Sequence, residues 1–289
     1  MINIYVLGKK GLESLEQLDS QWYPYLKTII IGKDQEVQQD YSEDVEAFAQ
    51  KNQINSVLRT QVTPEIHDGV TLNIAIGWRW LLSLDIPLLV FHDSILPKYR
   101  GFNPLVSALI NGDSEIGVTA LHGTDEFDQG AIVAQRILPI QYPITIQKAI
   151  DLLAKEYAIL FQSVIQMHVE KNLTATPQDE SKATFSLWRD EEDYQIDWNQ
   201  DSSYIKRMID AVGFPYKGAY TVMEDSVLRI QNAEVYPDVT IVNRTPGKVL
   251  FKHPDGYVIV CGKGLLKVST FYNEQNEIIT LSKFRIRFK

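Results

Sequence analysis

Four short apolar runs, each closed by a glycine or a histidine, constrain this chain more than anything else in it. They are Ile2–Leu7 before Gly8, Thr28–Ile31 before Gly32, Val70–Ile76 before Gly77, and Leu84–His92. Continuous runs this short, bounded by turn residues, read as buried strands. Between the second and third, Ser42–Lys51 has helical spacing behind the cap region Asp40–Ser42. Gly112–Leu121 and Ala131–Leu138 repeat the strand pattern, and Thr145–Glu170 after Pro143 predicts a long amphipathic helix. Strands alternating with helices predict an α/β fold built on an open, mostly parallel, Rossmann-like sheet with flanking helices. In such sheets ligands gather at the carboxyl ends of the strands, where Gly77 and His92 fall.

The pattern changes after residue 180. Lys171–Thr184 is polar and reads as a linker, so the expected division is 1–180 and 185–289. Beyond it a helix is predicted over Ser202–Val212. Short alternating segments follow at Ser226–Ile230, Gly247–Phe251, Tyr257–Cys261 and Leu265–Thr270. Turn residues Pro246-Gly247 and Gly262-Lys-Gly264 separate the last of these, predicting a small antiparallel β-domain.

Chemistry concentrates between Phe91 and Gln135. His92 stands directly after the run Ile86–Phe91, a Ser-Ile-Leu-Pro-Lys-Tyr-Arg-Gly loop follows it, and Asp128 lies in a Phe-Asp-Gln-Gly-Ala turn. A strand-end imidazole that a carboxylate can orient suits general acid–base catalysis. A histidine in that position also serves in purely structural roles, and spacing alone leaves both readings open.

The whole segment resembles the formyltransferases that use 10-formyltetrahydrofolate, which act on transfer RNA, on glycinamide ribonucleotide and on nucleotide-linked amino sugars. Their shared pattern matches His92, Ser94, Leu96-Pro97, Tyr99-Arg100-Gly101, Gly117-Val118-Thr119, Asp128, Gly130, Ile132 and Gln135. The Ile196-Asp-Trp198 and Pro215-Tyr-Lys-Gly-Ala219 stretches resemble the barrel-like (OB-like) C-terminal region of the transfer RNA and sugar members, a region the glycinamide ribonucleotide enzyme lacks. The resemblance implies 10-formyltetrahydrofolate as co-substrate, His92 and Asp128 as the catalytic pair, and no metal. It also implies a pterin slot between Trp80-Leu81-Leu82 and Thr124, Asp125, Glu126, Phe127 and Asp128. Ser94, Tyr99, Arg100, Phe102 and Asn103 are the implied acceptor contacts, with loop anchoring rather than catalysis the favoured reading of the Ser94 and Tyr99 hydroxyls and at least an equal one for Arg100.

One position departs from the pattern. The family's asparagine two residues before the histidine is Val90 here. That amide is read as a donor to the developing oxyanion, and one such donor is worth on the order of a hundred- to a thousandfold in rate. Either Asn103, Asn73, the ring of His92 or a loop N–H replaces it, or the chain is a non-catalytic ligand-binding homologue.

Charge bears on the acceptor. Residues 201–289 carry 13 Lys and Arg against 9 Asp and Glu, a net +4, which leaves −13 for the rest of a chain whose total is −9. Transfer RNA binding calls for a dense basic surface, so the expectation is a UDP- or dTDP-linked amino sugar, with methionyl-tRNA formyl transfer as the alternative. No nucleic-acid or membrane partner is expected. A homodimer through the C-terminal region is, because Phe284–Phe288 alternates apolar residues with Arg285 and Arg287. With 45% hydrophobic and 22% charged residues the composition is that of a globular enzyme. No apolar run reaches the roughly 18 residues of a membrane span, and the start shows no signal-peptide pattern. A single cysteine, Cys261, allows no internal disulfide, and the five histidines show no metal-ligand spacing. The cytoplasm is the expected compartment.

Overall fold

The computed structural model describes all residues except Glu36, Ser83, Leu84 and Ser282. It divides into two compact units. The first comprises Met1–Leu105, Ser114–Ile140 and Lys148–Leu187, and the second Val106–Asp113, Gln141–Gln147 and Trp188–Lys289.

The first unit is built on β1 (Ile2–Val6), α1 (Gly8–Glu16), β2 (Leu26–Ile31), α2 (Ser42–Lys51), β3 (Asn55–Leu58), β4 (Leu72–Ile76) and β5 (Leu88–His92). A two-residue strand β6 (Arg100–Gly101), β7 (Glu115–His122), β8 (Ile132–Pro139), α4 (Ile146–Val169) and β9 (Phe185–Ser186) complete it, while helix α3 (Pro104–Asn111), between β6 and β7 in sequence, falls mostly in the second unit. The seven-stranded sheet has the order β3-β2-β1-β4-β5-β7-β8. Its first five strands are parallel, and β7 and β8 join antiparallel. Every residue of β1 and of β4 is buried, because central parallel strands are covered on both faces. Edge strand β8 has no fully buried residue.

Most predicted elements form close to their expected limits. The strand expected over Leu84–His92 begins at Leu88, and Leu84 lies outside the described residues. The strand expected from Gly112 starts at Glu115. Gly112 instead follows α3 with φ 80° and donates to Ala108 O at 3.1 Å, the usual work of a glycine at a helix end. The stretch Gly8–Gly11 opens α1.

In the second unit α5 (Ser202–Ala211) precedes two four-stranded antiparallel sheets. One joins β10 (Ala219–Met223), β11 (Ser226–Ile230), β16 (Phe271–Tyr272) and β17 (Ile278–Ile279). The other joins β12 (Ala233–Tyr236), β15 (Leu265–Val268), β14 (Gly256–Val260) and β13 (Val249–His253). The exposed strand expected over Phe284–Phe288 is not there. Ile286 and Phe288 are buried, and Phe288 stacks on Phe271 at 5.1 Å and meets Trp198 at 5.9 Å. The apolar face invoked for a dimer is therefore filled by the unit's own core, leaving only Phe284 exposed.

Candidate active site

Side chains alternate across a strand, so Phe91 and His92 leave β5 on opposite faces. Phe91 packs on Tyr157 and Phe161 of α4. Register carries Tyr5, Ala75, Val90 and Leu121 along one row of the sheet. His92, two residues past Val90, therefore shares the face on which Trp78, Leu82 and Leu88 pack against Tyr5, Ile30, Ile66 and Ala75.

His92 is buried and has an acceptor at each ring nitrogen. Nδ1 lies 3.4 Å from Asp128 Oδ2, and Nε2 lies 2.8 Å from the carbonyl oxygen of Tyr99. A neutral imidazole donates from one nitrogen only, so the position of its proton is tied to which of the two contacts is kept. The carboxylate also accepts from the Gly101 N–H at 2.8 Å. Catalytic contacts are often long before substrate binds, and 3.4 Å exceeds the usual N–H···O range. The pair is set to tighten or to exchange partners. The structure brings His92 and Asp128 together.

The backbone around the pair is held in unusual conformations. Tyr99, Asn103 and Asp128 have φ of 60°, 48° and 57°, all in the left-handed region that non-glycine residues seldom occupy. Such conformations cluster where surrounding structure over-determines a functional loop.

Other expected residues fall in different places. Phe102 and Phe127 are both exposed and face each other with ring centroids 5.2 Å apart. Thr124, Asp125 and Glu126 are exposed, with the Thr124 hydroxyl donating to Glu126 O at 2.8 Å. Leu81 is exposed, whereas Leu82 packs into the Tyr5 cluster. Trp80 sits edge-on to Trp78 at 4.9 Å, with the guanidinium of Arg59 4.3 Å from its ring centre. Gly123 N donates to Leu88 O at 2.8 Å, which puts one expected wall of the pterin slot beside Leu88, and Leu88 and Leu82 pack against the same Tyr5, Ile30, Ile66 and Ala75 cluster.

Two expected acceptor contacts are occupied or enclosed. Arg100 is 1% exposed and donates from Nε and Nη2 to Gln178 Oε1 at 3.1 and 2.8 Å and from Nη1 and Nη2 to the Glu180 carboxylate at 2.8 and 2.7 Å. The hydrogen bonds and charge of Glu180 raise its already high pKa, and the guanidinium anchors the loop. Ser94 is buried; its carbonyl accepts from Thr119 Oγ1 at 2.7 Å and its hydroxyl has no partner among the described residues. Asn73, one candidate substitute for the missing asparagine, pairs in register with Leu88, four residues before His92. At about 3.3 Å per strand residue it is roughly 13 Å from the strand end. It cannot serve there. Asn103, two residues beyond the Gly101 whose N–H meets Asp128, is half-buried with φ 48°.

Sequence reading missed the polar partners outside the motif. Lys10 and Tyr157 both bond the Asp93 carboxylate, the residue next to His92. Burial alone would raise the Asp93 carboxyl, but the Lys10 charge and the two hydrogen bonds outweigh it and hold the group below its ordinary value. Gln178 and Thr184, in the expected linker, hold the loops at the site. Thr184 Oγ1 accepts from Tyr99 N at 2.9 Å and Thr184 O from Arg100 N at 2.8 Å.

Two family models match the chain: "Formyl transferase" over residues 72–165 and "Formyl transferase, C-terminal domain" over 189–288. It is 31% identical to the methionyl-tRNA formyltransferase of Moorella thermoacetica over 219 residues, which are 74% of this chain and 70% of that protein. The chain belongs to the formyl transferase family. It spans 60% and 65% of the length of two other curated relatives it matches, also methionyl-tRNA formyltransferases. Among solved structures, an N-formyltransferase from Helicobacter canadensis, in complex with folinic acid and dTDP-3-aminofucose, shares the fold at a TM-score of 0.70 and 18% identity. The likeness covers 94% of this chain and 99% of that one. A methionyl-tRNA formyltransferase from Clostridium thermocellum matches at a TM-score of 0.57 and 20% identity, over 73% of this chain and 93% of that one.

Proposed function

We propose that this protein is an N-formyltransferase that moves the formyl group of 10-formyltetrahydrofolate to the amine of a UDP- or dTDP-linked amino deoxysugar. The observation that carries the reading is the buried His92–Asp128 pair at the carboxyl end of β5, inside the family's loop. The folate supplies an activated formyl group on nitrogen. His92 takes the proton released by the attacking amine as the new C–N bond forms, and returns it to the folate nitrogen as the old C–N bond breaks. Asp128 holds the ring and balances its charge in transit. Exposed Phe102 and Phe127, with the apolar surface of Leu82 and Leu88, suit a flat heteroaromatic ring that is oriented without charge. Asn103 is our candidate for the oxyanion donor in place of the missing asparagine.

The nucleotide sugar is preferred over transfer RNA on two grounds. Residues outside 201–289 carry −13, a poor surface for a polyanion. The amino-sugar enzyme of Helicobacter canadensis also matches nearly end to end, whereas the transfer RNA enzyme of Clostridium thermocellum covers 73% of this chain. The names of the curated relatives favour the second reading, initiator methionyl-tRNA. Mass spectrometry of products from a panel of dTDP- and UDP-amino sugars with 10-formyltetrahydrofolate tests the proposal. An N-formyl amide on at least one sugar is expected; no product on any sugar, with formylation of methionyl-tRNA, replaces it with the second reading.

A further inference from the structure

We propose that Gln178 is a positioning residue for the His92–Asp128 pair, and that the segment 176–186 braces the two loops carrying that pair. The chemistry rests on the formyl-transfer reading above; the geometry stands without it. Gln178 Nε2 donates to Asp128 O at 2.7 Å and to Gly130 O at 2.8 Å, bracketing the turn that presents the Asp128 carboxylate. Asp128 has φ 57°, so its backbone relaxes elsewhere unless something holds it. Gly130 lies tight against His122, where an added Cβ would meet the carbonyl oxygen at 1.8 Å, and the Gln178 amide holds the same turn through the Asp128 and Gly130 carbonyls.

The same amide is fixed from its other end. Its oxygen accepts from Arg100 Nε and Nη2 at 3.1 and 2.8 Å. Arg100 lies in the loop whose Tyr99 carbonyl meets His92 and whose Gly101 N–H meets Asp128. One amide thus spans the histidine loop and the aspartate turn, using both its donor and its acceptor. The neighbouring backbone ties the rest: Thr176 and Ile132 exchange two hydrogen bonds of 2.8 Å, Thr184 N donates to Pro97 O at 3.1 Å, and Phe102 N to Ser186 O at 3.1 Å. A stretch whose polar composition reads as a tether is stitched along both loops.

Gln178→Glu separates the two halves of the brace. A carboxylate keeps accepting from Arg100 but cannot donate to the carbonyls of Asp128 and Gly130. Misplacement of a reacting group by about an ångström costs on the order of a hundredfold in rate. The expected result is a fall in kcat of about ten- to a hundredfold with KM for folate and amino sugar near the wild-type values. Nitrogen NMR of the His92 ring in the ligand-free protein, assigned by its loss in His92→Asn, should show shifted signals and an altered titration midpoint. Gln178→Met, of similar volume, gives the same readings should the glutamate variant fail to fold. Unchanged kcat overturns the proposal, and so does lowered kcat with the His92 signals and titration unmoved. If the wild-type enzyme formylates no amino sugar while the variant still shifts the His92 titration, the functional reading fails and the brace stands.

Discussion

The end of β5 sends two neighbouring ionisable residues into opposite faces of the sheet, and their surroundings differ in kind. Asp93 is closed in a set of three, bonded by Lys10 of α1 and Tyr157 of α4, with the Lys10 ammonium 5.6 Å from the Tyr157 ring centre. His92 faces loops, with a carboxylate at 3.4 Å and a backbone carbonyl at 2.8 Å, on residues held in left-handed conformations. A satisfied buried charge network fixes structure and resists change. A pair with one loose contact and a choice of partners can move a proton. On the proposed reading, one strand end carries both a structural anchor and the working group.

Replacing His92 with Asn gives the largest effect. Turnover should fall by about 10²–10⁴-fold, the usual share of a general acid–base group, with the thermal midpoint little changed. A variant that keeps more than about a tenth of wild-type turnover removes His92 from the mechanism. Asp93→Asn should behave in the opposite way. Leaving the partly buried Lys10 without its counter-charge should cost stability, at or below the low end of the about 3–5 kcal/mol of a fully buried pair, while turnover per folded molecule stays near wild type. Urea denaturation and active-site titration side by side check the contrast, and a stable but inactive Asp93→Asn would erase it.

Acid sharpens the same comparison. Because the folded state holds the Asp93 carboxyl below its ordinary value, its stabilisation is full above the ordinary carboxylate value of about 4. It is lost as pH falls through the lowered native value. The stability gap between wild type and Asp93→Asn should therefore narrow as denaturation is repeated at more acid pH. A gap constant down to the point of acid unfolding would contradict the direction. The smallest effect is expected at Val90. Val90→Asn should change turnover by no more than a few-fold if Asn103 already serves the oxyanion. A gain of about tenfold or more, a conservative share of one such donor, would show a crippled site.

Much of the sheet could be read in advance because burial on both faces writes itself into composition: β1 and β4 are buried throughout and apolar but for one asparagine each, Asn3 and Asn73. His92 and Asp128 were likewise visible, one at a strand end and one in a turn. What escaped reading depends on distance along the chain. Lys10 meets Asp93 83 residues away, and Gln178 meets Asp128 50 residues away, and no local spacing announces either. Polar residues 171–184 resemble a linker because a segment that serves by donating and accepting hydrogen bonds has the composition of one. Phe284–Phe288 failed for a related reason. Alternation identifies an apolar face but not its cover, and Phe271 and Trp198 supply that cover.

The assignment of the acceptor is the step on which the account turns, and a ratio of rates decides it. With 10-formyltetrahydrofolate saturating and one enzyme preparation, kcat/KM would be measured for dTDP- and UDP-linked amino sugars and for initiator methionyl-tRNA. The account predicts that at least one nucleotide sugar is the faster substrate and that His92→Asn abolishes its reaction. Faster formylation of methionyl-tRNA, or sugar formylation that survives the loss of His92, would contradict it.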